Sequence, residues 1–123
     1  MRRKRVKELI EFYRRQLLED VIPFWLKHSL DQKYGGYLHF LDRDGSVFGT
    51  DKAMWIECRE TWLFSKLYNT VEPREEWLKA SKLGYDFIME HGFDSDGRMF
   101  FAAVSYTHLR AHETRHDLVC RLL

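Results

Sequence analysis

Ile10, Tyr13, Leu17 and Val21 recur every three or four residues. The spacing predicts a helix from Val6 to about Val21 with one apolar face. Pro23 is expected to bend or end it, since proline lacks an N–H and crowds the preceding turn. LKHSLDQKYGGY, from Leu26 to Tyr37, has no helical period and reads as an irregular connection. Two hairpins are expected around DRDG at 42–45 and DSDG at 94–97. Aspartate supplies side-chain acceptors and glycine supplies backbone freedom for such tight turns. A second helix is expected from Lys52 to Tyr68, capped by Thr50 or Asp51. Its apolar residues, Met54, Trp55, Ile56, Trp62, Leu63, Phe64, Leu67 and Tyr68, nearly encircle it. A helix of that kind is an inner helix of something larger. A third helix opens at EPREEW, with Pro73 and two glutamates suited to a first turn. Trp77, Ala80, Leu83, Gly84, Phe87 and Ile88 form its stripe, and His91 with Gly92, a residue free to turn left-handed, is expected to close it.

The order is therefore helix, turn-rich insert, inner helix, outer helix and hairpin. Three helices cannot close around the second one. The expected fold class is all-α with short β-hairpins between helices, the opening part of a larger helical domain. Neither hairpin would be stable alone, so each must lie against helices.

Charge and composition narrow the partners. Lys and Arg number 20 against 19 Asp and Glu, for a net charge of +1. That balance points to no nucleic-acid partner. The basic start, MRRKRVK, runs at once into a mixed-charge segment and reads as a solvated helix. No apolar run approaches the roughly 18 residues of a membrane span. Cys58 and Cys120 offer neither a zinc-finger spacing nor a disulfide framework, so a reduced, cytoplasmic setting is expected. Nine Phe, six Tyr and four Trp are many for 123 residues. Some must be core, but flat rings also suit a carbohydrate cleft.

The candidate chemistry centres on Arg59, in WIECRETWLFSKLYN. Trp55 precedes it by four positions and Trp62 follows by three, so all three can share a helix face. A guanidinium stays charged when partly buried, and fixed donors best meet negative charge developing on an oxygen. The structural alternative pairs Arg59 with Glu57, Glu60 or Asp51, or stacks it on a tryptophan. Tyr37 and His39 occupy alternate positions of a short strand and are further candidates for substrate contact, as is Trp55. The aspartates of DRDGSVF and DSDGRMF lack the spacing of a calcium loop and are read as turn formers.

The run GGYLHFLDRDGSVFGTDKAMWIECRETWLFSKLYN, followed by GYDFIMEHGFDSDGRMFF, closely resembles the N-terminal part of the N-acylglucosamine 2-epimerase family. That family includes cellobiose 2-epimerases and some aldose–ketose isomerases. The pattern shared is GGY, DRDG, a DK pair and W-x-x-x-R-x-x-W-x-F-S-x-L-Y, met here from Gly35 to Tyr68. The resemblance implies that residues 1–104 are an incomplete portion of an (α/α)6 barrel whose inner helices line a funnel. It implies a small-molecule sugar substrate and proton removal beside a carbonyl, with one histidine as base and a second returning the proton. The arginine matching Arg59 would stabilise the enediolate. No metal or nicotinamide cofactor is implied, and a homodimeric parent is expected. The two histidines would lie beyond the residues that align, so the fragment alone is expected to be inactive. The alternative is a carbohydrate-binding helical module or a glycoside hydrolase of similar toroid fold, which would need paired carboxylates across a cleft.

Residues 105–123 read differently. They contain HETRH at 112–116, a match to H-E-x-x-H, with His108 and Cys120 extending the four-residue spacing. Such a row spans about 18 Å along a helix, too long for one ion. SYTHLRAHET also resembles a translated sequencing-adapter read-through, so this segment is expected to be a non-native tail rather than a metal site.

Overall fold

A computed structural model describes residues 1–103. The chain opens with helix α1 (Arg2–Arg15), passes through a π-helical segment (Gln16–Val21) and continues as α2 (Ile22–His28). Of the two outcomes expected at Pro23, the helix is not ended there. The Ile22 N–H reaches back five residues to the Leu17 carbonyl. That wider turn gives the proline ring room at the start of α2. The apolar stripe of α1 is present but uncovered: Val6, Ile10 and Tyr13 are exposed, and no residue of α1 is buried.

Both hairpins form. Strands β1 (Phe40–Leu41) and β2 (Val47–Gly49) pair antiparallel around DRDG. The Gly45 N–H closes the turn on the Asp42 carbonyl at 2.9 Å. At DSDG the Asp94 N–H donates to the Arg98 carbonyl at 2.8 Å, and Phe93 bridges Met99.

One pairing was not expected. Residues 52 and 53, assigned above to the second helix, form strand β3 (Lys52–Ala53), antiparallel to β4 (Ala102–Ala103). Helix α3 therefore starts later, at Met54, and runs to Thr70. Neither Thr50 nor Asp51 caps it; Ala53 stands at the cap position with no side-chain bond. Helix α4 (Glu75–His91) follows the expected span, but Gly92 keeps a right-handed φ of −83°.

Helices α3 and α4 pack on each other as a hairpin and carry most of the core. Ile22 of α2, Tyr37, Phe64, Leu67, Trp77 and Ala80 form one buried cluster. Met54, Phe87 and Ala103 form a second beneath the DSDG hairpin. Gly84 permits the closest approach: a Cβ there would lie 2.2 Å from the Tyr37 hydroxyl. Among the described residues no helix is long and apolar enough to cross a membrane.

Candidate functional site

Helix α3 has two chemically distinct sides. Glu57, Glu60, Phe64 and Leu67 follow one another at helical spacing and are all buried. The other side carries Trp55, Arg59 and Trp62. Trp55 and Trp62 are 54% and 61% exposed. The Arg59 guanidinium lies 5.3 Å from the centre of the Trp55 ring, a cation–π distance. The structure thus brings Arg59 and Trp55 together on an open face. Glu57 and Glu60 turn their carboxylates inward, to partners other than Arg59.

The inward side is a polar network that sequence reasoning missed. The Tyr37 N–H donates to Glu57 Oε2 at 2.8 Å. Ser29 Oγ lies 2.7 Å from Glu60 Oε1 and 2.7 Å from the Trp25 carbonyl. Glu57 Oε1 is buried without a partner among the described residues. Burial disfavours the charged form of both acids. It pushes Glu57 up to about 8, against the nearby Lys52 charge, and Glu60 up to about 7. The missed signal was positional, because both glutamates fall in register with Phe64 and Leu67.

Lys52 anchors the glycine-rich connection to this network. Its ammonium is buried, 2.6 Å from Asp31 Oδ2 and 2.5 Å from the Gly35 carbonyl, and it sits over the Phe87 ring. Asp31 also accepts the N–H groups of Lys33 and Tyr34. Gly36 then turns with a φ of +71°. A Cβ at that position would lie 2.7 Å from Glu57 Oε2, so the close approach requires glycine.

Tyr37 is not beside Arg59 on the open face. It is wholly buried, and its hydroxyl donates to the Ala80 carbonyl at 2.6 Å. The expectation of a substrate contact there gives way to a packing role, because no part of the ring reaches solvent. His39 is partly buried at the start of α3, where its Nε2 accepts the Ala53 N–H at 2.9 Å. Burial, then the Lys52 charge, lower the His39 pKa. Cys58 is partly buried, and desolvation raises its thiol pKa, as suits a packed rather than a reactive sulfur. Among the described residues no three His, Cys, Asp or Glu side chains group to hold a metal ion. The HETRH motif lies outside the described residues.

A mostly helical architecture with short antiparallel hairpins between its helices is that of an (α/α) toroid. The chain belongs to the N-acylglucosamine 2-epimerase (GlcNAc 2-epimerase) family, whose model matches residues 35–121. It is 41% identical over 78 residues to the N-acylglucosamine 2-epimerase of Rattus norvegicus, a match covering 62% of this chain and 19% of that one. It is 29% identical over 87 residues to the cellobiose 2-epimerase of Dictyoglomus turgidum, covering 70% and 22%. The structure of the cellobiose 2-epimerase from Bacillus thermoamylovorans superposes with a TM-score of 0.71 at 27% identity, over 79% of this chain and 25% of that one. The chain thus spans about a fifth of the length of the curated relatives it matches. The reading of residues 105–123 as a non-native tail falls outside the described residues, while the family match runs through to residue 121.

Proposed function

We propose that this chain is part of a sugar 2-epimerase or aldose–ketose isomerase acting on N-acylglucosamine or a related reducing sugar through an enediolate. The observation that carries the reading is Arg59 on the open face of α3, stacked on Trp55 and flanked by Trp62. Removing a proton beside a carbonyl places negative charge on the carbonyl oxygen. A guanidinium fixed by stacking offers that oxygen donors already in place, which lowers the barrier without reorganisation. Trp55 provides an apolar platform for a sugar ring, and His39 lies at the N-terminal end of the same helix. Tyr37 contributes from within, by joining the glycine-rich connection to Glu57.

The base and the returning acid are two histidines that this reading does not assign among the described residues. No cofactor enters this chemistry. The parent acts as a cytoplasmic homodimer on a small sugar. Glu57 and Glu60 face the packed side of α3 and do not supply the cleft-facing carboxylates of a hydrolase.

The test is isotope exchange by the full-length parent in heavy water. Deuterium should enter at the carbon beside the carbonyl of at least one of N-acetylglucosamine, N-acetylmannosamine, cellobiose or mannose. Binding of these sugars with no exchange into any would reject the isomerase reading in favour of a binding module.

A further inference from the structure

Helix α3 begins without help from its own cap residue. The backbone donors there are met by groups distant in sequence. The Met54 N–H donates to the Phe101 carbonyl at 2.9 Å, just ahead of the strand that pairs with β3. The Ala53 N–H donates to His39 Nε2, also at 2.9 Å. The His39 ring is partly buried and packs on Phe40, with ring centres 4.6 Å apart. The imidazole therefore ties the lead-in of the first hairpin to the base of α3, and Trp55 and Arg59 occupy the first two turns of that helix.

This bond has a chemical condition. A nitrogen that accepts an N–H carries no proton of its own, so the ring must be neutral with its hydrogen on Nδ1. Protonation would set one N–H against another and replace an attraction with a repulsion. Among the described residues the charged groups facing the ring are Lys52 on β3, which disfavours protonation, and Asp51, which favours it. We propose that His39 is a positioning residue: as a neutral imidazole it latches the base of α3 and so sets Trp55 and Arg59, and on protonation it releases them. The inference rests on the reading of Arg59 given above.

Two variants separate the latch from mere packing. In His39→Gln an amide carbonyl can accept the Ala53 N–H at any pH. In His39→Phe the ring volume stays and the acceptor is lost. The first readout is amide hydrogen exchange at Ala53 in the 123-residue chain. Protection in the wild type should weaken only as pH falls below the ordinary imidazole range, because burial and Lys52 hold the His39 pKa down. The glutamine variant should keep its protection throughout, and the phenylalanine variant should lack it at every pH. The second readout is kcat in the full-length parent. His39→Phe should lower it about tenfold with KM changed less, since small misplacements of a reacting group are costly. His39→Gln should restore kcat and flatten its acid limb. Equal Ala53 protection in all three forms overturns the latch. Unchanged kcat and an unchanged acid limb in both variants overturn its link to the site. If Arg59→Lys is also without effect on kcat, the reading of Arg59 is what has failed, and the Ala53 exchange still decides the latch.

Discussion

The backbone N–H of Tyr37 donates to Glu57 Oε2 at 2.8 Å across a sequence separation of 20 residues. Both residues are fully buried. This bond fastens the glycine-rich connection to the helix that carries Arg59, and it places an ionisable group where water does not reach.

Stability should therefore fall as pH rises through neutrality. Glu57 and Glu60 have folded-state pKa values of about 8 and about 7, both raised chiefly by burial, against about 4.5 when unfolded. A raised pKa means that the folded state binds the proton more tightly. The contribution is complete below the unfolded value and is lost as pH passes 7 and 8. Glu57→Gln keeps an acceptor for the Tyr37 N–H and removes the charge. Urea midpoints measured from pH 5 to pH 9 should decline less in the variant than in the wild type. Parallel declines would show that Glu57 does not titrate in that window.

Gly36→Ala should destabilise by about 2–4 kcal/mol, as expected where strain and a clash coincide. The backbone there has a φ of +71°, and the new Cβ would meet both Glu57 and Phe87. Gly97→Ala is the control. Its φ is +80°, but nothing lies within 4 Å, so only the left-handed penalty of about 1–2 kcal/mol applies. Denaturant midpoints that ranked the two variants equally would remove the steric part of the argument.

Lys52→Met should cost about 3 kcal/mol or more, because it strands the Asp31 carboxylate. Both side chains of the pair are nearly buried, and Lys52 also satisfies the Gly35 carbonyl. A loss below about 1 kcal/mol, the range of exposed ion pairs, would mean that water reaches Asp31 once the lysine is gone.

Arg59→Lys in the full-length parent should lower kcat about a hundredfold, or roughly 3 kcal/mol, the cost of one well-placed oxyanion donor. Substrate affinity should change less, since the two-pronged geometry matters most in the transition state. The melting temperature should stay nearly constant, because Arg59 is exposed on the open face of α3. A normally folded variant with wild-type deuterium uptake would make Arg59 a structural residue.

Local chemistry determined much of this protein. The DRDG and DSDG turns are visible in the sequence because aspartate acceptors and glycine backbone act within four residues. The stripe of α4 and the shared face of Trp55, Arg59 and Trp62 follow from helical period alone. The tertiary structure decided what depends on distant partners. Residues 52 and 53 left the helix because Ala102 and Ala103 offer a strand to pair with. The helix continued through Pro23 because a wide π turn accommodates the ring. Tyr37 went inward because Gly84 opens a path to the Ala80 carbonyl. Periodicity marks a position as buried, yet it does not say that a glutamate there will find a hydrogen bond. Glu57 and Glu60 are buried because Tyr37 and Ser29, far away in the chain, meet their oxygens, and that satisfaction exists only once the chain is folded.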